Sequence, residues 1–135
     1  MKKIFFLFVV IAPLLCFSQI KGDSKIIITV QDSTNIHKLV KNSLVKNDFV
    51  VKDLPGDTIT TYVRKYKGMY VALRSVVSGS RVTMTGFYSL SQIGDFGYEN
   101  PSKDRKRIIY YVGALTWNLM LKVSREINSN LAFAE

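Results

Sequence analysis

The sequence predicts an α+β fold of two layers, an antiparallel sheet with helices packed on one face, and three observations carry that expectation. Short β-branched or alternating runs at 25–31, 58–66, 69–78 and 81–90 read as strands. Lys67-Gly68 and Gly79-Ser80 separate the last three at hairpin spacing. Two stretches, one after Asp32 and one ending near Asn128, repeat apolar residues at spacings of three and four, the helical period. The order is strand, helix, three or four strands and a long helix, and helices gathered on one sheet face are the economical way to bury it.

Ahead of the first strand, Lys2-Lys3 precede the apolar run 4–15, and the segment closes on Cys16-Phe17-Ser18 before polar Gln19. A basic start, an apolar stretch short for a stable anchor, and small residues at the third-last and last positions read as a signal peptide over 1–18. The expected product is an exported single domain, 19–135, of 117 residues, which has the size for one core. Lipid attachment at Cys16 fits less well, because Pro13 and bulky Leu15 stand where such a site takes other residues. Cleavage after Ser18 removes the one cysteine, so stability is expected from packing rather than from disulfides.

Lys25 to Gln31 is short and β-branched, a strand. Asp32-Ser33-Thr34-Asn35 offers N-caps for a helix through about Asn47, with Ile36, Leu39, Val40, Leu44 and Ser43 inward and Lys38, Lys41 and Lys46 outward. Phe49 to Val51 is extended, and Leu54-Pro55-Gly56-Asp57 suits a type II turn. After the three hairpin runs, residues 91–107 read as a long loop rich in Gly, Asn-Pro and basic side chains. A helix over 107–128 follows, with Ile108, Val112, Leu115, Leu119 and Val123 as its core stripe and a fraying tail behind it.

Residues 36–44, then Asn47-Asp48-Phe49-Val50-Val51, Leu54 to Thr61, and Val82-Thr83-Met84-Thr85-Gly86 resemble the helix-grip domains of small exported bacterial proteins. Those include uncharacterised TBP-like families and the modules of the BamC outer-membrane assembly lipoprotein. The resemblance covers about residues 25 to 90 and implies a helix-grip, TBP-like fold and binding rather than catalysis.

Side chains that carry chemistry are few. Ser43 and Lys46 have Ser-x-x-Lys spacing, but the Lys-Thr-Gly element of penicillin-recognising enzymes is missing. His37 is the only histidine and has no cysteine or clustered acids with which to hold zinc. Asp53 and Asp57 flank a turn, and Asp95, Glu99 and Asp104 match no calcium loop. No catalytic residue, metal or cofactor is therefore expected.

Two surfaces remain as candidates. Period-two alternation puts Tyr62, Arg64, Tyr66, Tyr70, Arg74 and Arg81 together on the sheet face opposite the helices. Flat rings beside guanidinium groups suit glycans, anionic headgroups or peptide backbones. The last helix carries a second apolar stripe, Tyr110, Ala114, Trp117 and Leu121, and one sheet face cannot hide both stripes. The first helix or a partner is expected to cover it, while the scarcity of basic residues around the helix middle argues against a membrane-surface helix.

Removing Lys2 and Lys3 lowers the basic count from 19 to 17 against 10 acids, a net charge near +7. Outside the cytoplasm such a charge meets acidic glycans, lipid headgroups or acidic proteins rather than nucleic acid. The expected function is a non-enzymatic binding or accessory module of the bacterial cell envelope, periplasmic or extracellular or associated with the outer membrane, acting through protein–protein contacts. It has no transmembrane span in the mature chain, and a homo-oligomer is compatible with it. The alternative is a receptor for an anionic small molecule, glycan or lipid headgroup on the Tyr/Arg face.

Overall fold

Alternation of large apolar side chains builds a sheet with one dry face. The computed structural model describes residues 19–52, 54–90 and 105–135. The expected signal segment 1–18, with Cys16, and residues 91–104 of the expected loop lie outside them, as does Asp53. Among the described residues the strands are β1 (Lys25–Thr29), β2 (Val51–Lys52), β3 (Thr58–Thr61), β4 (Arg64–Tyr66), β5 (Met69–Ser78), β6 (Arg81–Ser89), β7 (Lys106–Arg107) and β8 (Leu131–Ala134). The helices are α1 (Ile36–Lys46) and α2 (Leu115–Ile127). The sheet runs β2-β3-β5-β6-β1-β8, with β4 also on β5 and β7 also on β6, and every pairing is antiparallel. The chain is thus α+β with an open antiparallel sheet.

Ile26, Ile28, Val71, Leu73, Val77, Val82 and Met84 form the dry face, and α1 and α2 close it with Ile36, Val40, Leu44, Trp117, Met120 and Val123. Burying each such side chain stabilises by about 1.5–3 kcal/mol. Polar contacts fix how the helices meet: Ser43 Oγ donates to the Val123 carbonyl at 2.7 Å, and Asn47 Nδ2 to Glu126 Oε2 at 2.9 Å. Ahead of α1, the side chain and backbone N–H of Thr34 both donate to Asp32 and hold its exposed carboxyl below the ordinary value. Leu39, expected inward, is exposed, because Ile36, Val40, Ser43 and Leu44 already fill the contact stripe.

The run 58–66 is not one strand. Thr60 pairs with Arg74 and Arg64 with Val71, so three residues, Thr61 to Val63, stand opposite two, Ala72 and Leu73. That is a β-bulge, and it reverses the side-chain alternation beyond it. Thr61 secures it: its Oγ1 accepts the Leu73 N–H at 3.0 Å, a ladder group the bulge would otherwise orphan. The β4–β5 hairpin closes on Lys67 (φ 47°) and Gly68 (φ 81°), both left-handed, the geometry of a type I′ turn.

The segment before α2 also departs from expectation. Instead of a helix from 107, Lys106 and Arg107 pair with β6, the Ile108 N–H bonds the Gly86 carbonyl, and the Tyr110 N–H bonds the Asp23 carbonyl. Gly86 makes room for this: a Cβ there would lie 2.6 Å from Ile108 Cδ1 and 2.8 Å from Leu73 Cδ2. The chain turns at Gly113, with φ +82°, and α2 starts only at Leu115. Val112 and Leu115, expected in the core, are exposed. The tail expected to fray is strand β8, paired with β1 from Lys25↔Ala134 to Ile28↔Leu131.

Candidate functional site: the helix-free sheet face

Directly opposed residues of an antiparallel pair share a face. Across β5 and β6, Tyr70 opposes Ser89, Ala72 opposes Phe87, Arg74 opposes Thr85, Val76 opposes Thr83, and Ser78 opposes Arg81. Their neighbours Val71, Leu73 and Val77 are buried under α1 and α2, so this set lies on the opposite side, which carries no helix among the described residues. From β7, Arg107 opposes Phe87. Arg74, Arg105 and Arg107 surround Val76, Thr83, Thr85 and Phe87 in an open depression of about 520 Å³.

Electrostatics and shape agree in this depression. The Arg105 guanidinium sits 3.8 Å from the centre of the Phe87 ring, which holds its plane against an apolar support. Three guanidinium groups around two threonine hydroxyls match a multiply charged anion, since guanidinium takes carboxylate, sulfate or phosphate oxygens in pairs and a hydroxyl can donate one more bond. Arg81 is exposed farther along the same face, and Tyr70 lies toward its other end. Arg105 and Arg107 were absent from the sequence-derived face because 105–107 read as loop and helix start rather than as a strand beside Phe87.

The structure does not bring the six expected side chains together. Tyr70, Arg74 and Arg81 are on the helix-free face, but the bulge sends Arg64 and Tyr66 to the other side, opposite Val71 and Met69. There Arg64 lies over Phe49 at 5.4 Å and Tyr66 at 5.2 Å, and its Nη2 meets Asp48 Oδ2 at 3.3 Å. It braces the exit of α1 rather than an outer surface. Tyr62 is exposed within the bulge, and the Lys52 ammonium lies 4.9 Å from its ring centre.

The second stripe of the last helix is also corrected. Trp117 is wholly buried and Leu121 nearly so, while Tyr110 is half-buried against the indole with ring centres 5.7 Å apart. Phe133 of β8 lies 6.0 Å from the indole, ring centre to ring centre. Tyr110, the chain's own last strand and Gln19 supply the cover, so these residues form no outer docking stripe.

Other sequence candidates have structural employment. The Ser43 hydroxyl is buried in its bond to Val123, and His37 Nε2 is 3.5 Å from Asp57 Oδ1 at the surface. Among the described residues no three His, Cys, Asp or Glu side chains gather as a metal-binding group, and no helix is long and apolar enough to cross a membrane. Scans against protein-family models, curated proteins and solved structures find no significant match to this chain.

Proposed function

We propose that this protein is an exported binding module that captures a multiply charged anion on the helix-free face of its sheet. One observation carries the reading: Arg74, Arg105 and Arg107 converge around Thr83, Thr85 and Phe87 in an open depression. The net charge near +7 of residues 19–135 favours encounter with anions over their partners of opposite sign. Binding rather than catalysis is the reading, because the lone histidine is engaged with Asp57 and the Ser43 hydroxyl with a backbone carbonyl. Export after Ser18 places it in the cell envelope. A helix-grip, TBP-like relationship is part of the same proposal; the long strands β5 and β6 with α2 laid across the sheet support it.

Calorimetric titration with a heparin-derived oligosaccharide tests it. Binding that weakens with salt and falls roughly tenfold in R74Q/R107Q supports the reading. R64Q is the control, since Arg64 lies across the sheet, and it should bind like the parent. Equal affinity in R74Q/R107Q and the parent would remove the depression as the site.

A further inference from the structure

The extended segment that supplies two of these arginines continues into exposed apolar residues. Ile108 is fully buried and Tyr110 packs on Trp117, so both point to the core side. The bonds from Ile108 to Gly86 and from Tyr110 to Asp23 keep the segment strand-like through Tyr110. Alternation therefore lines Arg105, Arg107, Ile109 and Tyr111 along the opposite side, about 7 Å apart. Ile109 is 41 % exposed, Tyr111 45 %, Val112 at the turn 90 % and Leu115 41 %. Ile20, in the segment bonded to Tyr110 through Gly22, is also exposed.

A row that passes from guanidinium to aliphatic and tyrosyl side chains is graded from charge to oil. Soluble anions have no use for the apolar half, and an acidic protein surface offers little for Val112 to enter. A lipid surface presents both chemistries in that order, anionic headgroups above acyl chains, with tyrosine suited to the boundary. From this gradient we infer that the helix-free face docks on an anionic bilayer: Arg74, Arg105 and Arg107 take headgroup phosphates while Ile109, Tyr111 and Val112 enter the interface. The inference rests on the anion-binding reading of the depression and names its ligand as a membrane surface. The sequence argued against a membrane helix, and none is needed, because the basic residues lie on β5 and in and beside β7, and the apolar ones follow β7 in the extended stretch and turn before α2.

Vesicle co-sedimentation with phosphatidylcholine alone and with added phosphatidylglycerol tests it, beside the oligosaccharide titration. The parent should bind the anionic vesicles and not the neutral ones. V112S should weaken vesicle binding about tenfold, the share expected of one aliphatic side chain, with oligosaccharide affinity unchanged. R74Q/R107Q should weaken both. Val112 is too exposed to affect folding, so V112W supplies a second readout: its emission should move to shorter wavelength with anionic vesicles, above the constant signal of buried Trp117. Oligosaccharide binding without vesicle binding, or V112S bound to vesicles like the parent, overturns the membrane inference and leaves the anion site standing. Failure to bind either probe overturns both.

Discussion

The indole Nε1 of Trp117 donates a 2.8 Å hydrogen bond to the side-chain oxygen of Gln19, the first residue after the expected cleavage point. A buried indole N–H needs such a partner, and a buried donor left without one costs about 1–3 kcal/mol. Gln19 is thereby tied to the largest side chain in the core.

Trp117→Ala removes that bond and opens a cavity between Tyr110, Phe133 and the sheet. The variant is expected to lose about 3–5 kcal/mol of stability in a urea melt. Its mass in sedimentation should match the parent's; a near-parental melt with a change in mass would put Trp117 at an interface instead.

The proposed cleavage after Ser18 would leave Gln19 at the amino terminus. Intact-mass analysis of the exported protein should find it there, and cyclisation onto the new amino group releases ammonia while keeping the side-chain oxygen as a lactam carbonyl. The acceptor for Trp117 survives that chemistry. A diacylglyceryl group on Cys16 would show different processing.

Gly86→Ala places a methyl group against Ile108 Cδ1 and Leu73 Cδ2. Overpacking of this kind costs about 1–3 kcal/mol. Ile108→Val deletes the nearer of the two atoms, so G86A/I108V should be more stable than the sum of the single changes. Strict additivity would mean the crowding is relieved elsewhere.

Thr61 and Thr60 are neighbours with opposite expectations. Thr61→Val keeps the shape but orphans the buried Leu73 N–H and should cost about 1–3 kcal/mol. Thr60 Oγ1 is buried with no hydrogen-bond partner among the described residues, so Thr60→Val should be neutral or stabilising. Parallel denaturant melts check both.

Strand β1, helix α1 and the β5–β6 hairpin were legible because each repeats its apolar residues at one clean period between strong turn residues. The bulge was not, because nothing in Thr58 to Tyr66 interrupts a period-two pattern; what marks it is a side-chain hydroxyl taking a backbone role. The stretch 107–114 misled for another reason. Ile108 and Val112 are spaced for a helix, but ladder bonds to Gly86 and Asp23 hold the segment extended, and only Gly113 hints at the break. Strand β8 is four apolar residues with no pattern of their own, made a strand by the open edge of β1. At the candidate site, Arg74 and Arg81 were visible from alternation, while Arg105 and Arg107 needed the pairing of β7 with β6.

The bulge turns chain length into a matter of parity. Counting back from the Lys67-Gly68 turn, odd and even positions exchange sides once the count passes Thr61 to Val63. Paired at its present length without the bulge, the ladder would carry Arg64 and Tyr66 out to the helix-free face and turn Lys65 toward the core, whereas deleting one residue there would close the ladder with Arg64 still opposite Val71. The one extra residue between Thr60 and Arg64 therefore decides which of two neighbouring cations faces the core, an arginine that braces α1 or a lysine in oil.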